Sequence, residues 1–344
     1  MKIQKPEFFR KREDIPKGTV LIDIFTKALK ELFFIENLEL KDHPAKAKKT
    51  LNKFLRGAPE GVWIYYPWRN TAVHSLPENL YFKLRTARNR NLINETEQDN
   101  YRKMTAGIAG LSVGSSILNS LVISGGPKVL KIADPDIVDT SNLNRLKASL
   151  YDVGRKKVEV AARAVWDIDP FAEIDIWDIK LDDRNFRKFV TGPKKLEVFI
   201  EQTDNLFFKF FSRLVCREEK IPVVMATDYG DGVIVDIERF DQEPSRPIFD
   251  GRVKDIKNFR GLDKLKKLDS AKWLELANKV IGANAPARLK ESLKEVGETL
   301  SAVPQLGTSA SMAGSAISYV LRRIASKQKM PSGRHIISLE DLFL

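Results

Sequence analysis

Residues 105–136, TAGIAGLSVGSSILNSLVISGGPKVLKIADPD, decide the fold. A short apolar run, TAGIAG, ends in glycine. Residues 113–124, VGSSILNSLVIS, follow as a helix of small and branched side chains. A second apolar run, KVLKIAD, ends on a carboxylate. Strand, glycine turn, helix and strand form the opening unit of a doubly wound sheet. The alternation continues downstream. RKKVEVAARAVWDID (155–169) is an amphipathic helix closed by Pro170, and EIDIWDI (173–179) alternates as a strand. LEVFIEQTD (196–204) is a strand, NLFFKFFSRLVCREEK (205–220) a helix and IPVVMATD (221–228) a strand. GVIVDIERF (232–240) suits a further, antiparallel strand.

The chain reads as three regions: residues 1–87, the nucleotide-binding segment 88–250, and residues 251–344. In the first, the spacing of apolar residues predicts a buried helix over 20–36, and GVWIYYP (61–67) a strand stopped by Pro67. SLPENLYFKLRTARNR (75–90) reads as a helix with Pro77 in its first turn. Asn94 and Glu97 have capping-box spacing for the next helix. Residues 251–300 turn basic and helical, as an inserted lobe or a mobile cover. SASMAGSAISYVLRRIAS (309–326) predicts a long helix whose small residues let it return against the sheet.

Composition narrows the function. The 344 residues suffice for a sizeable core, and 43% hydrophobic with 30% charged residues fits a globular chain. One cysteine, Cys216, leaves no disulfide framework and no CxxC zinc site, so no zinc is expected. The charged start, MKIQKPEFFRKRED, has no apolar core, and residues 106–126 are broken by glycines, serines and Asn119. No membrane segment is expected, and the expected location is cytoplasmic. A net charge of +12 raises nucleic acid as a partner. The cations are mixed with acids, as in LKKLDSAKWLELANK (265–279), and no arginine–aromatic module occurs, so nucleic acid is not the expected ligand.

Ligands of open α/β sheets bind beyond the carboxyl ends of the strands. At the first such end, Gly110 and Gly114 either let backbone N–H groups approach a phosphate at the helix start or serve close packing. Ser112 stands where a dinucleotide fingerprint has its middle glycine. Asp134, at the second strand end, is either a ribose acceptor or a turn aspartate. Beyond it, DPDIVDTSNLNR brings Ser141, Asn142, Asn144 and Arg145, and the next helix opens with Lys157. The third end offers Asp204 and Asn205. Two cations and a carboxylate suit a triphosphate with Mg²⁺, where Arg145 and Lys157 meet phosphate oxygens and Asp204 holds the metal. The alternatives are surface charges for Arg145 and Lys157 and a helix N-cap for Asp204.

GIAGLSVGS, ADPDIVDTSNLNR, VGRKKVEVA with IDP after it, QTDN and IPVVMA together resemble the ThiF/MoeB/HesA superfamily of ubiquitin-activating-enzyme-like adenylyltransferases. The upstream RNRNLI (88–93) is similar to that family's short arginine motif. YYPWR, ERFDQEPSRPIFDG, VPQLGTSASMAG and SGRHIISLEDL resemble a bacterial ThiF-domain subgroup, some of whose members are fused to nitroreductase-like domains. The resemblance implies a Rossmann-like, mainly parallel sheet and ATP- and Mg²⁺-dependent adenylation of a carboxylate, with pyrophosphate released. It implies that Asp134 binds ribose, that Ser141, Asn142, Asn144, Arg145 and Lys157 surround the phosphates, and that Asp204 binds Mg²⁺ with Asn205 beside the nucleotide. It further implies a homodimer in which Arg90 enters the partner's site, and an acceptor such as a ubiquitin-like carrier protein, a peptide or a small acid. Cys216, inside a predicted helix, is a poor candidate for a thioester step. Two other readings stand beside this one: an NAD(P)-dependent oxidoreductase on the same kind of turn, and an ATP-binding scaffold or sensor without chemistry.

Overall fold

The computed structural model describes residues 3–254, 256–265, 270–281 and 286–343. The chain divides into two compact units. One comprises residues up to 95 together with 166–171, and the other comprises 96–165 and 172 onward.

In the first unit, strands β1 (Glu7–Phe9), β2 (Val20–Asp23), β3 (Val62–Tyr66) and β4 (Thr71–Ser75) make a sheet of order β1-β3-β4-β2. The β3–β4 hairpin turns at Pro67, as its sequence requires, with Asn70 in the left-handed region at φ 46°. Helices α1 (Phe25–Glu36), α2 (Pro44–Arg56) and α3 (Glu78–Arg85) complete the unit. The single helix expected over 20–36 is therefore two elements. Val20–Asp23 pairs in parallel with β4, and the Asp23 carboxylate then accepts the Phe25 N–H at 3.0 Å, which starts α1.

The second unit opens with α4 (Glu95–Lys103), directly after Asn94. It continues through β5 (Thr105–Ala109), α5 (Val113–Ile123), β6 (Val129–Ala133), α6 (Lys157–Ile168), β7 (Glu173–Trp177), α7 (Phe186–Thr191) and β8 (Val198–Glu201). Then come α8 (Leu206–Glu218), β9 (Val223–Asp228) and β10 (Gly232–Glu238). Described parts of the basic region form α9 (Phe259–Leu265), α10 (Ser270–Ile281) and α11 (Ala287–Glu295), while the rest of the lobe expected over 251–300 lies partly outside the described residues. Helix α12 (Gly307–Ala325), strand β11 (Gly333–Ser338) and α13 (Leu339–Phe343) follow.

The strand order is β11-β10-β9-β8-β5-β6-β7. Strands β7, β6, β5, β8 and β9 run parallel, β10 pairs antiparallel with β9, and β11 pairs antiparallel with β10. The chain winds outward from β5 through β6 and β7, then returns to the other side of β5 with β8. The order therefore reverses between β5 and β8, and a crevice opens there at the carboxyl ends. The inner strands are apolar on both faces because helices cover both: Ile108, Leu130, Ile132, Val198, Phe199 and Ile200 are all buried. On one face α12 lies against α5. A side chain at Gly314 would come within 2.7 Å of the Ser116 carbonyl oxygen, which explains the small residues of α12. On the other face, Phe186, Phe189, Phe199, Phe208 and Phe211 pack ring against ring.

A buried ionic cluster ties α8 to the sheet. Arg213 is fully buried, with Nε donating to Glu238 at 2.5 Å, Nη1 3.4 Å from Glu201, and the guanidinium 3.9 Å from the Phe249 ring centroid. Lys209 donates to Glu201 at 2.9 Å. Burial opposes the charged form of Glu201, but the Lys209 and Arg213 charges prevail and hold its pKa below the usual carboxylate value.

Candidate nucleotide site at the switch point

The turn after β5 runs hard against the end of β8. Gly110 has φ +88°, and a Cβ there would press into the Gln202 backbone. Two backbone bonds fix this approach: Gly110 N–H to the Ala133 carbonyl at 2.9 Å, and Gln202 N–H to the Ala109 carbonyl at 2.8 Å. Gly114 lies in the first turn of α5. A Cβ there would come 3.2 Å from Ile108 Cγ2, so its bareness lets the helix close on β5.

Asp134 fastens the turn to β6. Its carboxylate, in a residue only 5% exposed, accepts the Leu111 N–H at 2.7 Å and the Asp136 N–H at 2.9 Å. Each oxygen keeps a further lone pair for a ligand hydroxyl. Burial raises its pKa, against the pull of those two bonds and of the Lys157 charge.

The polar loop is held by the serines of α5. Ser115 Oγ accepts the Lys147 N–H at 3.2 Å, and Ser116 Oγ donates to the Arg145 carbonyl at 3.2 Å. Asn142 is buried, and its Oδ1 accepts the Asp139 N–H at 3.2 Å. The Arg145 guanidinium gathers three other candidates. Its Nε donates to Ser112 Oγ at 2.9 Å, and its Nη1 donates to Asn144 Oδ1 at 2.9 Å and to the Ser141 carbonyl at 3.3 Å. Its Nη2 makes no hydrogen bond among the described residues. The serine that replaces the fingerprint's middle glycine is thus one of the three residues that orient the arginine. Asn144 Nδ2 in turn donates to the Gln305 carbonyl at 2.8 Å, joining this loop to the approach of α12.

Lys157 is the first residue of α6, and its Nζ donates to Asp136 Oδ2 at 2.8 Å. Asn205 is the N-cap of α8, accepting the Phe208 N–H at 2.9 Å. The cap suggested for Asp204 therefore falls to its neighbour. Asp204 is exposed and makes no hydrogen bond or ion pair among the described residues. Arg90, like Arg88, is exposed on the first unit, where it closes a 3-10 turn over Ala87–Asn89. Cys216 is fully buried, and burial pushes its thiol far up.

Two side chains at these strand ends escape reading by motif. Asp228, the last residue of β9, has both carboxylate oxygens buried with no hydrogen-bond partner among the described residues. Burial raises its pKa to about 6, with Arg145 and the nearby Gln305 amide favouring the charged form and Asp204 opposing it. Gln202 Nε2 is likewise buried and unpartnered among the described residues. The final D of IPVVMATD marked the first position, but an aspartate closing a strand looks the same whether it is solvated or buried.

Comparisons with known proteins agree with this architecture. The model of the ThiF family matches residues 86–331. The uncharacterized protein MT1398 of Mycobacterium tuberculosis is 35% identical over 273 residues, 79% of this chain and 37% of that protein. The SAMP-activating enzyme E1 of Haloferax volcanii is 30% identical over 129 residues, 37% of this chain and 46% of that protein. The chain thus spans less than half the length of either curated relative. The crystal structure of E. coli tRNA N6-threonylcarbamoyladenosine dehydratase in complex with AMP covers 71% of this chain and 96% of its own, with a TM-score of 0.50 and 17% identity. Among the described residues no helix is long and apolar enough to cross a membrane. The glycine turn, the polar loop and every strand from β5 to β10 fall inside the matched segment, and the chain belongs to the ThiF family.

Proposed function

We propose that this protein uses ATP to adenylate a carboxylate, releasing pyrophosphate. The observation that carries this reading is the convergence of Ser112, Ser141 and Asn144 on the Arg145 guanidinium at the start of α5. A cation fixed in advance beside a helix N-terminus meets charge that develops on a departing pyrophosphate without reorganising. Asp134 offers acceptors for ribose hydroxyls. Lys157, paired with Asp136, adds positive charge across the turn. The acceptor carboxylate attacks the α-phosphorus directly, so no protein nucleophile is required, in keeping with a buried Cys216. That the dehydratase neighbour binds AMP supports the choice of nucleotide.

Asp204 fits Mg²⁺. It is a hard oxygen donor without a hydrogen bond or ion pair among the described residues, and both it and Arg145 act on Asp228; Mg²⁺ takes one or two carboxylates and completes its shell with phosphate oxygens and water. When bound, the ion would supply charge neutralisation at the phosphates. The acceptor is a carrier-protein C-terminus, a peptide or a small acid. The working unit is a cytoplasmic homodimer to which Arg90 contributes.

The test is calorimetric titration with ATP and Mg²⁺, NAD⁺ and NADPH, in wild type and Asp204→Asn. Binding of ATP that needs Mg²⁺ and weakens at least tenfold in the variant, about 1.4 kcal/mol, is expected. Tight binding of a nicotinamide cofactor with none of ATP would replace this reading by the oxidoreductase.

A further inference from the structure

Helix α2 of the first unit carries a charge pattern that its own fold does not use. Its 13 residues, PAKAKKTLNKFLR, hold five cations and no acid. The mixing of cations with acids along 265–279 does not extend to it. The unit around it is basic too. Residues 1–95 with 166–171 contain 19 of the chain's 58 lysines and arginines against 13 of its 46 acids, a net charge of +6. That is half of the total of +12 in under a third of the length.

The helix sorts its side chains by face. Ala47, Leu51 and Phe54 pack with Phe33 and Leu40, and Leu55 packs with Ala28 and Leu29. On the opposite side Lys46, Lys49, Lys53 and Arg56 follow one another at steps of three and four residues, which makes them one stripe. All four are exposed, and none makes a side-chain hydrogen bond or an ion pair among the described residues. Lys53 and Arg56 suit the last turn, but Lys46 stands in the first, where the helix dipole favours an anion. Neighbours along the stripe also repel each other. The stripe therefore destabilises the helix, and an anionic partner relieves it.

The kind of anion follows from what the face lacks. Protein partners are held through aromatic and arginine anchors at surfaces depleted in lysine, and this stripe has three lysines and no exposed aromatic. A membrane is bound stably by charge together with an inserted apolar group, and the apolar face of α2 is covered by α1 and Leu40. Single-stranded nucleic acid needs aromatic platforms for its bases. A duplex backbone needs only cations in a row facing phosphates. From Lys46 to Arg56 the helix rises about 15 Å, close to four phosphate steps along one strand at about 3.4 Å each.

We infer that the Lys46, Lys49, Lys53 and Arg56 face of α2 is a docking surface for the phosphate backbone of a nucleic-acid duplex, without base specificity. The match to the ThiF family begins at residue 86, so this surface lies outside the segment shared with that family, and the inference is independent of adenylation.

The test uses the full chain and an end-labelled DNA duplex of mixed sequence, read by fluorescence anisotropy between about 50 and 200 mM salt. Wild type is expected to bind in the micromolar range at the low end. Log affinity should fall on log salt with a slope of about −3.6 or steeper, four contacts at about −0.9 each. With Lys46→Gln, Lys49→Gln, Lys53→Gln and Arg56→Gln combined, affinity at about 50 mM salt should drop at least tenfold and the slope should lose about that amount. A control with the same charge removed elsewhere, Arg288→Gln, Lys290→Gln, Lys294→Gln and Lys327→Gln, should stay within about twofold of wild type. All eight side chains are exposed, so both variants should keep the wild-type circular dichroism and melting transition. Absence of binding by wild type at about 50 mM salt overturns the inference. Equal loss in both variants overturns it by assigning the binding to overall charge. Loss of binding to phosphatidylserine-containing vesicles in the α2 variant, with duplex binding unchanged, overturns it in favour of a membrane.

Discussion

Asp228 makes an isolated prediction about stability. Burial lifts its pKa from the usual 3.8 to about 6, so charging it costs more in the folded chain than in the unfolded one. Below pH 3.8 the group is protonated in both states and there is no penalty. The penalty grows as pH rises from 3.8 to 6 and is complete above 6, at about 3 kcal/mol. Asp228→Asn should therefore raise the melting temperature of the ligand-free protein at pH 7.5 and leave it unchanged near pH 4. A gain of equal size at both values would show that the carboxylate is not isolated. Other residues are legible in the sequence alone. Arg145 and Asp134 stand out by type and spacing, the first as a cation for phosphate and the second as an acceptor at the end of the second strand. Gly110 needs its positive φ, which the strand-to-helix junction already implies. Asp228 is not legible in this way, because its meaning lies in what fails to surround it, and that depends on four separate chain segments.

Strand–helix alternation between residues 105 and 240 can be read element by element, because buried parallel strands and amphipathic helices differ in period. The first unit is harder. Val20–Asp23 looks like the start of the following helix until β4 supplies its partner, and β4 is distant in sequence. Strand β11 has the same character: GRHIIS becomes a strand because β10 offers an open antiparallel edge. The ionic cluster on α8 is another long-range product, joining Glu201, Lys209, Arg213 and Glu238 from two strands and a helix. Replacing Arg213 with alanine leaves two buried carboxylates with only Lys209 between them. The expected loss is about 3–5 kcal/mol in urea unfolding, as for other broken buried pairs. A loss under about 1 kcal/mol, the value of an exposed pair, would mean that water reaches the cluster.

Residues 166–171 give the molecule an interleaved chain path, because they belong with the first unit although they lie within the sequence of the second. Asp169 is buried against Arg85 at 3.3 Å, Tyr81 Oη donates to the Ile168 carbonyl, and Phe171 stacks on Phe8 with centroids 5.3 Å apart. A chain shortened to start at residue 96 keeps the strand ends and loops of the candidate site but loses Arg90 and strips these partners away. It should melt below the full chain and aggregate on heating, since the Phe171 ring loses Phe8 and the Ile168 carbonyl loses its Tyr81 donor. An unchanged melting curve would show that the second unit is self-sufficient. The edge position of β11 has a consequence for synthesis on the ribosome. All seven residues of β10 are buried in the finished fold, yet its outer neighbour is encoded after the basic lobe and the whole of α12. While translation proceeds, β10 has only β9 beside it and offers a bare, apolar edge to any other nascent chain. The yield of native protein should therefore depend on how quickly residues 333–338 leave the exit tunnel.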